Sequence, residues 1–97
     1  MPPVFARKGF NERESRAWLQ TQMADVCFDT GKLTECAAHV DRALQLTPNY
    51  HLALASRARL LTAKDDLTGA AAAYELALTR VERADWRASL GDVFLAQ

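Results

Sequence analysis

The chain has 97 residues, 49% of them hydrophobic and 25% charged, with twelve basic side chains balancing twelve acidic ones. That is the composition of one ordinary globular domain, and a formal charge of zero supplies no global field to hold nucleic acid or anionic lipid. No run approaches the ~18 apolar residues of a membrane-crossing helix, and two cysteines are too few for a disulfide scaffold.

The opening "MPPVFARKGF" has no apolar core behind a basic end, so it does not read as a secretory signal, and a cytoplasmic location is the default expectation. Pro2, Pro3 and Gly9 are poor helix material, which predicts a poorly ordered extension over 1–10 ahead of a helical domain over 11–97. Arg7, Lys8, Arg13 and Arg16 form a basic cluster interrupted by Glu12 and Glu14, read as a solvated segment rather than a nucleic-acid patch.

Asn11, with Glu14 three residues on, resembles a capping box. A first helix is predicted from there to Asp29, with Trp18, Leu19, Met23, Val26 and Cys27 at helical spacing and Gly31 suited to the left-handed residue that ends it. The second, "LTECAAHVDRALQL", carries Leu33, Cys36, Ala37, Val40, Ala43 and Leu44 on one stripe and stops at Pro48. The third is "YHLALASRARLLTA". Asp66 is placed to cap the fourth, "LTGAAAAYELALTRV", and Asp85 to cap the fifth, "DWRASLGDVFLAQ". Strand-like alternation is absent over any useful length, so the expected fold is all-α.

Internal self-similarity sharpens this. "GKLTECAAHVDRALQLTPNY" superposes on "DDLTGAAAAYELALTRVERA" without a gap, placing Leu33 on Leu67, Cys36 on Ala70, Val40 on Tyr74, Ala43 on Ala77 and Leu44 on Leu78, always 34 residues apart. Small residues recur where helices would cross closely, pairing Ala24 with Cys36 and Ala58 with Ala70.

A period of this length built from two helices resembles the tetratricopeptide repeat. The likeness is carried by Ala43, Leu44, Leu46 and Pro48 in one unit, by Ala70, Tyr74, Ala77 and Leu78 in the next, and by Leu90, Gly91 and Phe94 in the last helix. Met23-Ala24 and Arg57-Ala58 stand where the family has "LG", Glu82 stands where it has proline, and Trp86 lies one residue further from "LG" than the family spacing. The resemblance implies antiparallel helix pairs stacked as a right-handed superhelix of about five helices, with units over 17–50 and 51–83 and a terminal half unit over 84–97.

Residues suited to catalysis do not converge. His39 and His51 lie on different helices and are not spaced as a metal pair; both are expected at the surface. Cys27 and Cys36 fold towards each other across the turn at Gly31; two small apolar residues filling a crossing is the reading preferred over a redox pair or metal site. Asp65 and Asp66 sit in a turn without a His or Lys partner. No enzyme activity, cofactor or metal is expected.

Function is therefore sought on surfaces. The resemblance implies that the first helix of each unit lines a concave groove that takes a peptide or helix of a partner protein. That face presents Trp18, Thr21, Gln22, Asp25 and Phe28, then Leu52, Ser56, Arg59 and Thr62, then Ser89 and Asp92. Thr21 and Asp25 fall where carboxylate-gripping members carry Lys and Asn, so an apolar anchor near Trp18 and Phe28, with Arg59 pairing an acidic residue of the partner, is expected instead. The alternative is self-association: the last helix, packing through Leu90, Gly91 and Phe94, still shows Trp86, Val93 and Leu95, and Trp86, Val93, Phe94 and Leu95 are the candidates to pair with another copy. Neither nucleic acid nor membrane insertion is expected.

Overall fold

A computed structural model describes residues 12–97; the expected extension over 1–10 and the Asn11 cap lie outside them. Five helices follow one another: α1 (Glu12–Asp29), α2 (Leu33–Leu46), α3 (His51–Ala63), α4 (Leu67–Arg80) and α5 (Ala84–Ala96), and the described residues contain no strand. Short turns fold α1 onto α2 and α3 onto α4 as antiparallel pairs. The second pair stacks on the first through α3, which touches both α1 and α2, while α5 packs principally on α4.

The 34-residue period is written into the backbone as well as the side chains. Gly31 (φ 79°) and Asp65 (φ 63°), one period apart, both adopt the left-handed conformation after a helix. In each turn the next amide reaches back over five residues, Lys32 to the Cys27 carbonyl and Asp66 to that of Leu61, both at 2.8 Å. Asp66 then caps α4 as expected, its carboxylate accepting from the Gly69 amide at 3.0 Å. A Cβ on Gly69 would lie 2.7 Å from Asp66 Oδ2, so a larger residue there would require the capping carboxylate to shift.

Small residues set the helix crossings. Ala24 and Cys36 are fully buried with Val40 and Leu60 in one cluster; Ala58, Ala70 and Ala77 are fully buried with Tyr74 in another. This matches the pairing drawn from the repeat. In α1, however, the large apolar residues are not the buried ones. Leu19, Met23 and Val26 are 45%, 48% and 63% exposed, whereas Ala17, Thr21 and Ala24 face inward. Close approach to α2 favours short side chains, and the Thr21 hydroxyl is satisfied by donating to the Ala17 carbonyl at 2.8 Å.

The fifth helix departs most from expectation. Unit one closes through Pro48 and Asn49, the latter at φ 60°. Unit two lacks that proline; Val81 and Arg83 are extended, and α5 begins at Ala84, 33 residues after the start of α3. Its inward face is therefore Trp86, Leu90 and Val93 rather than Leu90, Gly91 and Phe94. Phe94 is half exposed, and a Cβ on Gly91 would meet nothing. Trp86 and Val93, expected to be displayed for self-association, are core residues; Phe94 and Leu95 are the displayed ones. Asp85 is not the N-cap either: Arg83 holds that position, and the Asp85 carboxylate takes both guanidinium contacts of Arg83, at 3.0 and 3.1 Å.

Candidate functional site

Two neighbouring cavities run along α1, α3 and α5. The first, about 260 Å³, is lined by Thr21, Gln22 and Asp25 of α1, Leu52, Ser56 and Arg59 of α3, Ser89 and Trp86 of α5, with Arg83, Asp85 and Tyr74. The second, about 350 Å³, is lined by Phe28, Thr62, Asp92 and Val93, closed by Leu67 and Ala96. Arg59, Tyr74 and Ser89 border both, so the two form one continuous groove.

The repeat explains why these residues meet. Thr21, Ala55 and Ser89 stand 34 residues apart, as do Asp25, Arg59 and Val93, and Phe28, Thr62 and Ala96. Each set of equivalent positions forms one rung across the groove. Trp18 is the expected groove residue that falls elsewhere, in a separate cavity of about 620 Å³ with Glu14, Pro48, Tyr50, His51 and Arg80. Tyr74, Arg83 and Asp85 were not expected in the groove. The first belongs to the second helix of its pair, and the other two stand at the N-cap and in the first turn of α5. Trp86 was detectable as the equivalent of Leu52 one period on.

Electrostatics is the second correction. Arg59 is not a free cation awaiting an acidic partner. Its Nη2 pairs with Asp25 Oδ1, and its guanidinium lies over the Phe28 ring, 4.9 Å from the centroid. The Ser56 hydroxyl donates to the same Asp25 oxygen at 2.7 Å. The pair is partly exposed, at 41% and 33% of the two side chains. Farther along, Arg83 repeats the arrangement, pairing with Asp85 and lying 4.7 Å from the Trp86 ring centroid. Each guanidinium is thus held between a carboxylate and an aromatic face, which fixes its direction and neutralises it.

Outside the groove, His51 is half-buried rather than solvent-facing. Its ring packs edge-on to Tyr50 at 5.1 Å and against Trp86 at 6.0 Å. Burial lowers its pKa below the usual histidine value, and Arg83 and Arg80 push it the same way. His39 is also only half exposed, its Nδ1–H donating to Gln20 Oε1 at 2.7 Å and so tying α2 to α1. Cys36 is fully buried and Cys27 partly so, both as free thiols; burial raises the Cys36 pKa, and the Asp25 charge adds to the rise. Among the described residues no group of three or more His, Cys, Asp or Glu is arranged to hold a metal ion, and no helix is long and apolar enough to cross a membrane. No protein-family model, curated protein or solved structure matches the chain.

Proposed function

We propose that this chain is a non-enzymatic protein-interaction module, built as a tetratricopeptide-like array, that takes a segment of a partner protein along the α1–α3–α5 groove. One observation carries the reading: positions 34 residues apart on the alternate helices α1, α3 and α5 line a single continuous groove rather than scattering over the surface. Hydroxyls, two fixed ion pairs and an apolar end offer hydrogen bonds and buried area along a line, which is what a peptide segment uses. A cytoplasmic location belongs to the same proposal, and two free thiols are in keeping with a reducing compartment.

Photoreactive phenylalanine analogues placed singly at Thr62, Ser89, Arg42 and Glu75 test it in the native cell. All four positions are at least partly exposed, the first two in the groove and the last two outside it. Discrete adducts from Thr62 and Ser89, and none from Arg42 and Glu75, are expected. The same adducts from all four would refute the groove.

A second reading, self-association, is supported by the exposed apolar residues Leu19, Met23 and Val26 on α1 and Phe94 and Leu95 on α5. A molecular mass that stays that of one chain from micromolar to millimolar concentration would exclude it.

A further inference from the structure

We infer that the groove selects a segment carrying one aliphatic or aromatic residue beside a lysine or arginine, the apolar side chain entering the cavity at the α1–α3–α5 end and the cation meeting Asp92. This rests on the groove reading above and specifies what occupies it. The end cavity is walled by Phe28, Leu67, Tyr74, Val93 and Ala96, five side chains contributed by three helices, α1, α4 and α5. At about 350 Å³ it is at the small end of ligand sites, room for one side chain of a passing segment rather than for a large free molecule.

Charge decides what flanks that side chain. Five ionised groups line the two cavities: Asp25, Arg59, Arg83, Asp85 and Asp92. Four of them cancel as Arg59–Asp25 and Arg83–Asp85. An acidic ligand would have to displace Asp25 or Asp85 from its guanidinium and leave that carboxylate unpaired, so the exchange gains little. Asp92 is different. It is exposed at the rim of the apolar cavity, no ion pair or hydrogen bond engages it among the described residues, and it gives the groove one net negative charge. The complement is a cation one or two residues from the anchor.

The test selects a random displayed heptapeptide library on the full chain. Affinities of enriched peptides are then measured by fluorescence anisotropy, and their site is read from amide chemical shifts. Enriched peptides are expected to join Leu, Ile, Val, Met or Phe to Lys or Arg and to shift Ser56 and Ser89. Replacing the apolar residue by Ala should weaken binding about tenfold or more. On the protein, Asp92→Lys leaves the core untouched and should weaken binding about threefold or more, moving the preference to Glu at the cationic position. Peptides that shift Ser56 and Ser89 but are acidic, or that bind Asp92→Lys equally well, would overturn the inference and leave the groove reading standing. Peptides that shift only Leu19, Met23 and Val26, or failure to enrich any peptide, would overturn both.

Discussion

Replacing Ala58 by Leu tests the physics that holds the two helix pairs together. Ala58 is fully buried where α3 crosses α4, in the same cluster as the fully buried Ala70. Leucine adds three carbon atoms at a crossing with no room to receive them. Overpacking of this kind costs about 1–3 kcal/mol, and for a domain of 60–100 residues each kcal/mol lowers Tm by roughly 4–8 °C. The expected fall is therefore about 4–24 °C in a thermal melt followed by circular dichroism. Ala24→Leu, one period earlier and equally buried, should fall within the same range. Arg57→Leu places the same side chain at the adjacent exposed position and should change stability by no more than about 0.5 kcal/mol. Ala24→Leu and Ala58→Leu proteins that melt with wild type would refute the claim that small residues set the crossings.

Four further outcomes are expected. Asp66→Ala should cost about 0.5–2 kcal/mol by removing the α4 cap. Gly69→Ala should gain about 1 kcal/mol of helix propensity in that background and less in wild type, where the capping carboxylate must shift to clear its Cβ; a denaturant-melt double-mutant cycle showing no coupling would contradict this. The depressed His51 pKa means that the unfolded chain binds a proton more readily than the native one. Stability from this residue is thus present above pH ~6.5 and lost as pH falls below it, and urea midpoints for wild type and His51→Gln should show a smaller loss between pH 7 and 5.5 in the variant. Finally, an aromatic disulfide reagent should modify Cys27 in the native protein and Cys36 only on unfolding, since Cys36 is fully buried with a raised pKa; equal native rates would refute the assignment.

Much of this architecture was legible because its signals are local and repeated. Gly31, Pro48 and Asp66 mark helix ends through backbone chemistry, and the superposition of α2 on α4 pairs Cys36 with Ala70 and Val40 with Tyr74, all buried. The face of α1 was misjudged because periodicity ranks residues by hydrophobicity, whereas a close crossing ranks them by size; Ala17 and Thr21 won over Leu19 and Met23. The orientation of α5 depends on how Val81 and Arg83 redirect the chain, and a missing proline at Glu82 does not by itself say in which direction. Groove membership followed from the repeat period for Ser56, Thr62 and Ser89. The neutralisation of Arg59 depends on Asp25 lying 34 residues away in sequence yet one helix away in space, a pairing that the period suggested only once the two were known to share a rung.

The uneven attachment of the helices has a consequence for binding itself. Helices α1 to α4 are each held within a tightly packed pair, while α5 leans chiefly on α4. An element with one main neighbour opens at lower free energy than the body it rests on. Here it carries Trp86, Ser89, Asp92 and Val93 with it, one whole wall of the groove. On the proposed function, opening and occupancy would be thermodynamically linked: a segment lying across α1, α3 and α5 would bind the closed form and draw population towards it. The proposed groove would then be coupled to a local equilibrium of α5, and amide exchange in α5 should slow on occupancy by the same factor by which the closed state is favoured.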